Sequence, residues 1–184
     1  MRAKPEEADD RTVLAAAYAM LARRPHSRAQ VREKLERKGF AEELIEDSLK
    51  RLEELGYLDD EQIARRWAQV MLQERFWGIF KAEQRLQQRG IGRELARQAV
   101  DEAQKEFPQI DGARQDLAGR FSDRKTDIPL AKVVSFLRSR GFSGEVVYAV
   151  SREWEQNRGL GATRSELDSC NYLTEQEYTD DENS

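Results

Sequence analysis

One cysteine, one histidine and four prolines in 184 residues leave little material for whole classes of chemistry. Cys170 alone excludes an internal disulfide. It and His26 lie far apart in the sequence, so the two offer neither a metal cluster nor a nucleophilic dyad. No apolar run approaches the roughly 18 residues that a membrane-spanning helix needs. No alternating, β-rich segment occurs, which leaves an all-α chain. The first ten residues, MRAKPEEADD, are polar and acidic, unlike a secretory leader. The expectation is a soluble cytoplasmic protein without membrane contact.

What the sequence does have is charge. Asp, Glu, Lys and Arg make up 36% of it and apolar residues only 39%, so much of the chain must be solvated surface. That balance favours a modular or elongated shape over a compact globule. The net charge of −4 hides an asymmetry: Ser165–Ser184 holds seven acidic and no basic residues, and the remainder holds 31 basic against 28 acidic. A mildly basic body thus precedes an acidic tail.

The second feature is a repeated join. KLERKGFAEEL (34–44), RLQQRGIGREL (85–95) and FLRSRGFSGEV (136–146) place Gly39, Gly90 and Gly141 at intervals of 51 residues. A residue just past a helix often turns left-handed, which costs glycine least, and the residue after it packs back on the helix. Phe40, Ile91 and Phe142 each stand five residues beyond a leucine, namely Leu35, Leu86 and Leu137, and Tyr57 stands likewise to Leu52 after Gly56. Each is read as a hydrophobic clasp.

Around these joins the apolar spacing is helical. Leu14, Ala17, Tyr18 and Leu21 mark one face of a first helix that Pro25 ends. Ser27 and Gln30 form a capping box before Val31 and Leu35, and Leu44, Ile45, Leu49 and Leu52 mark a third helix. Ile63, Trp67, Val70 and Met71, then Ala82 and Leu86, then Leu95, Ala96, Ala99 and Val100 repeat the plan, with Gly78 where Ser27 stood. Leu117 and Phe121, then Val133, Val134 and Leu137 after Pro129, then Val146, Val147, Val150 and Trp154 give it a third time. Three tandem three-helix repeats forming an elongated, curved solenoid follow, because units of this size bury little alone and share apolar surface when stacked. The expected divisions are an arm at 1–10, repeats at 11–57, 58–107 and 108–158, and an acidic, disordered tail at 159–184.

Nothing here reads as an enzyme. GIG at 90–92 lacks the strand and lysine of a phosphate loop, Asp59 and Asp60 read as helix caps rather than a magnesium site, and His26 reads as a surface residue. No cofactor and no metal are expected. Basic residues recur instead on one face of each middle helix: Lys34 and Lys38, then Lys81, Arg85 and Arg89, then Lys132 and Arg140, with Phe136 interrupting the third set. They offer an intermittent track for an anionic partner. Lys38, Arg89 and Arg140 also suit the helix C-terminal dipole whatever the function. Trp67 fits the apolar stripe, whereas Phe76 and Trp77, between Arg75 and Lys81, suit either packing between repeats or stacking on a partner.

MLARRPHSRAQVREKLERKGF, LKRLEELGYLDDEQIARRW, QRLQQRGIGRELARQAVDEA and VVSFLRSRGFSGEVVYAV together resemble the RecX family, regulators of the RecA recombinase, from about Leu14 to Trp154. The resemblance implies a regulatory protein of homologous recombination, DNA repair and the SOS response. It implies tandem three-helix repeats lodged in the groove of the RecA filament on DNA, inhibiting strand exchange, ATP hydrolysis and repressor cleavage. It transfers no catalytic residue. A monomer is expected, with single- or double-stranded DNA as a further partner beside the RecA filament. The alternative is a helical repeat that binds nucleic acid directly through phosphates. The acidic tail is either a weak internal competitor for the basic face or a solubility segment. Deleting Gly159–Ser184 is expected to tighten binding to bare DNA most at low salt if it competes; affinities equal to full length at every salt would show that it does not.

Overall fold

A computed structural model describes residues 10–121 and 128–156; the acidic tail and nearly all of the N-terminal arm lie outside the described residues. The described chain is all-α, with nine helices in three triplets. They are α1 (Asp10–Leu21), α2 (Arg28–Glu36) and α3 (Glu42–Glu54), then α4 (Asp60–Gln69), α5 (Ile79–Gln88) and α6 (Arg93–Glu106), then α7 (Gln109–Phe121), α8 (Leu130–Ser139) and α9 (Gly144–Gln156). A π-helical turn, Val70–Glu74, continues α4.

Local chemistry sets these boundaries. Ser27 caps α2 through a complete capping box: its hydroxyl accepts from the Gln30 N–H while the Gln30 side chain accepts from the Ser27 N–H. The Asp59 carboxylate accepts from the Gln62 N–H at 2.9 Å and so starts α4. The helix ends are uniform. Gly39, Gly56, Gly90 and Gly141 have φ between +72° and +83°. Each donates to the carbonyl three residues back, and the next residue donates to the carbonyl five back, as Gly90 does to Gln87 (2.8 Å) and Ile91 to Leu86 (3.1 Å).

The described residues form two compact units, 10–68 with 83–99, and 69–82 with 100–121 and 128–156, so the middle triplet contributes to both. In the first unit Val13, Leu14, Ala17, Val31, Leu35, Ile45, Leu49, Leu52 and Leu58 form a buried core. In the second, Leu117, Phe121, Val133, Val134, Leu137, Phe142, Val147 and Val150 do so with Ala113 and Ile128. Phe136 packs against that core and meets Phe121 edge-on at 5.5 Å, which explains why a cation is replaced at this position. One clasp differs from expectation. Tyr57 is 56% exposed and touches Tyr18 edge-on, while Leu58, one residue later, fills the core at 3% exposure. Trp67 is half-buried rather than core, and α4 buries Ala64 and Ala68 instead.

Each unit also contains a junction in which the start of one middle helix meets the glycine turn ending the next. In the first, the Ser27 hydroxyl donates to the Arg89 carbonyl at 2.5 Å, and a Cβ on Gly90 would lie 2.4 Å from the Ala29 Cβ. In the second, the Gly78 N–H donates to the Arg140 carbonyl at 2.8 Å and Phe80 N–H to the Gly141 carbonyl at 3.1 Å. There a Cβ on Gly78 would come within 2.1 Å of Gly141 backbone, and one on Gly141 within 2.4 Å of Lys81. The donors, Ser27 and Gly78, and the acceptors, Arg89 and Arg140, are each 51 residues apart.

The glycines therefore differ in what they cannot tolerate. At Gly56 an added Cβ meets nothing within 4 Å, so Gly56→Ala is expected to cost only the left-handed strain of about 1 kcal/mol. Gly90→Ala adds a steric clash in a packed junction and is expected to cost at least about 2 kcal/mol. Leu86, fully buried, is expected to cost about 2–5 kcal/mol on truncation to alanine. Denaturant midpoints of the three variants check this; equal losses for the two glycine changes would contradict the junction.

Candidate partner-binding surface

The seven cations on the middle helices fall into two groups, those used by the fold and those presented to solvent. In the first unit, Lys34 turns toward His26: its ammonium donates to Nε2 at 2.6 Å, which leaves Nδ1–H to donate to the Arg24 carbonyl at 2.8 Å. Against expectation, His26 is only 2% exposed. Burial first, and the nearby Lys34 and Arg24 charges with it, push its pKa down, outweighing the bond to Arg24. Arg89 lies over the Trp67 ring at 4.4 Å, so the ring face is already occupied by a cation of the same chain.

Asp60 caps a helix other than its own. Its carboxylate accepts from the Arg28 N–H, the first of α2, at 2.8 Å, and burial raises its pKa. The Arg28 guanidinium in turn pairs with Glu46 at 2.7 Å and Glu53 at 2.9 Å. Four elements thus fix the start of α2: its own capping box, Asp60, the acidic face of α3 and the Arg89 carbonyl.

In the second unit Lys81 donates to the Ser139 carbonyl at 3.1 Å and sits 5.1 Å from the Trp77 ring centre, with Arg75 5.7 Å from the same ring. Desolvation first, then the Arg140 charge, lowers the Lys81 pKa. Arg140 is held by Asp116 at 2.5 Å and donates to the Arg75 carbonyl at 2.6 Å. That carbonyl is presented where the π-helical turn unwinds and Phe76 takes a φ of +50°, a conformation costing a non-glycine residue about 1–3 kcal/mol. Phe76 and Trp77 are half-buried and line a cleft of about 490 Å³ with Leu72, Phe107 and Phe142.

Lys38, Arg85 and Lys132 remain exposed to solvent on the three middle helices. Arg85 bonds only lightly, to Gln88 one turn on. Sequence reasoning did not single out a second cleft, of about 500 Å³ in the first unit, lined by Tyr18, Leu21, Pro25, Tyr57, Ile63 and Trp67. Its only sequence signal is the exposed aromatic after Gly56. No group of three His, Cys, Asp or Glu side chains suited to a metal occurs among the described residues, and no helix among them is long and apolar enough to cross a membrane.

Residues 14–52 match the family model of the first three-helix domain of RecX. The regulatory protein RecX of Deinococcus radiodurans is 34% identical over 154 residues, spanning 83% of this chain and 72% of that protein. The chain belongs to the RecX family. The regulatory protein RecX of Syntrophotalea carbinolica is 35% identical over 138 residues, spanning 72% of this chain and 89% of that protein. The crystal structure of RecX from Lactobacillus salivarius has the same fold, with a TM-score of 0.69 at 21% identity over 80% of this chain and 97% of that one.

For this RecX-family chain the buried imidazole has a measurable consequence. A folded-state pKa below the ordinary 6.5 means that, as pH falls, the unfolded chain takes up the proton first. Stability is therefore full above about pH 6.5 and declines as pH falls from there to the lowered folded value. His26 is the only histidine, so thermal melts between about pH 7 and 5 are expected to show this decline in the parent and to lose most of it in His26→Asn. An unchanged slope in the variant would place the titration elsewhere.

Proposed function

We propose that this chain regulates the RecA recombinase, chiefly as an inhibitor, by binding in the groove of the RecA–DNA filament and blocking strand exchange, ATP hydrolysis and repressor cleavage. The observation that carries this reading is membership of the RecX family across most of the repeat-bearing body. The protein acts as a cytoplasmic monomer and by occupancy, without catalysis or cofactor. Several repeats on one chain address several filament subunits, and each bound repeat raises the local concentration of the next, so an assembled filament is favoured over free RecA.

The charged residues supply the recognition chemistry at this level. Lys38, Arg85 and Lys132, one on each middle helix, face solvent and are the cations offered to an anionic filament surface or its DNA. Lys34, Lys81, Arg89 and Arg140 contribute indirectly, since their heads are engaged with His26, the Ser139 carbonyl, Trp67 and Asp116. They hold the helices that carry the other three.

The deciding measurement compares binding to free RecA, to bare single-stranded DNA and to the RecA–DNA filament at one salt concentration. Preference for the filament supports the proposal, whereas equal affinity for bare DNA supports direct phosphate binding. Reversing Lys38, Arg85 and Lys132 together to glutamate is expected to keep the helical circular dichroism. The same variant is expected to lose at least about tenfold in filament affinity at low salt, with a shallower salt dependence. Inhibition equal to the parent would remove these residues from the binding surface.

A further inference from the structure

The chain builds the same junction twice, each time with a donor at the residue preceding a middle helix. Ser27 supplies a hydroxyl and Gly78 a backbone N–H. Another 51 residues on, the equivalent position is Pro129. Its backbone is already in the required conformation, φ −60° and ψ 143° against −70° and 160° at Ser27. Two residues later, Ala131 matches Ala29, the residue that touches the Gly90 turn, and is exposed. The start of α8 thus keeps the shape of a junction donor, yet proline has neither an N–H nor a hydroxyl to give.

The complementary half is present at the Gly39 turn. Gly39 has φ +82° and closes α2 with the same two hydrogen bonds as Gly90 and Gly141. The Lys38 carbonyl stands where the Arg89 and Arg140 carbonyls stand, and among the described residues no donor reaches it. Lys38 and Gly39 are exposed. A helix C-terminus whose carbonyl has no partner among the described residues, with no Cβ at the turn, is the acceptor that the chain itself fills twice with a helix start.

We infer that the Gly39 turn and the start of α8 are the two halves of one further junction, and that Pro129 keeps α8 of a second copy of this chain from docking on Gly39. A turn on one copy and a helix start on another make a heterologous contact, which leaves the same two halves free at the ends and so adds further copies into a ring or an open chain. Proline at the donor position removes the hydrogen bond that Ser27 and Gly78 each supply to the facing carbonyl. It acts as a stop on head-to-tail association, independent of what the protein regulates.

The test is sedimentation velocity of the full chain across a concentration series. The parent is expected to show a constant sedimentation coefficient. Pro129→Ser restores the donor of Ser27 at a helix N-cap, where serine is favoured, and is expected to raise the coefficient with concentration; Pro129→Gly, supplying an N–H as Gly78 does, serves as the second variant. Adding Gly39→Asn, which tolerates the left-handed turn but places a Cβ in the docking position, is expected to restore the constant value. Folded Pro129→Ser and Pro129→Gly proteins that stay at the parent value would overturn the inference. Association that persists in Pro129→Ser/Gly39→Asn, or in the parent itself, would do the same.

Discussion

A helix leaves carbonyls without partners at its end and N–H groups without partners at its start. In this chain the carbonyl deficit is met across repeats, by the Ser27 hydroxyl at the start of α2 and by the Gly78 and Phe80 N–H groups at the start of α5. The Arg89 and Arg140 carbonyls accept from the beginnings of α2 and α5, and the aligned partial charges of helix end and helix start attract. Close approach is possible because the turn residue lacks a Cβ. Side chains at Gly90 and Gly141 would enter Ala29 and Lys81, and one at Gly78 would enter the facing turn. Glycine is thus selected twice at the same residue, once by its left-handed φ and once by its neighbour, and the repeat interval of the sequence is the interval of this contact.

The cations follow from the same constraint. Residues at a helix C-terminus are favourably basic, but Arg89 and Arg140 are also placed beside a junction, where their side chains are drawn onto Trp67 and onto Asp116 and the Arg75 carbonyl. Lys81, at the opposing helix start, reaches across to the Ser139 carbonyl. A row of basic residues in the sequence therefore becomes a mixture of struts and solvent-facing charges. Phe136 shows the limiting case: the site of Arg85 is given over to packing against Phe121.

The period, the helix triplets, the Ser27 capping box and the glycine ends were legible because each depends on residues within one turn of one another. Long-range contacts were not. His26, between a proline and a cap serine, has the local look of a surface residue; the tertiary fold buries it, with its Nε2 accepting from Lys34, eight residues on. Asp59 and Asp60 both look like caps of α4, and only the tertiary fold assigns Asp60 to α2. The misplaced clasp at Tyr57 is a one-residue ambiguity: Tyr57 and Leu58 both donate to the Leu52 carbonyl, at 2.8 and 3.2 Å, and the smaller aliphatic side chain is the one that enters the core. The site was legible as residue types on a helix face, but exposure, which separates Lys38, Arg85 and Lys132 from the rest, depends on partners far away in sequence.

The middle helices are short, nine residues in α2 and ten in α5 and α8, below the roughly 12 at which an isolated helix begins to hold in water. Within α2 only Val31 and Leu35 are buried. Such a helix persists because it is fastened from outside: each end by a glycine turn, the start of α2 by its capping box, and the starts of α2 and α5 by the neighbouring repeat. The exposed cations ride on these helices, so their positions are set by the junctions rather than by the helices themselves. α2 and α8 differ from α5 in this respect: α5 is joined at both its start and its end, while the Gly39 turn and the start of α8 each lack the matching contact among the junctions described. Arg85 accordingly rides on a middle helix that is joined to a neighbouring repeat at its start and again at its end.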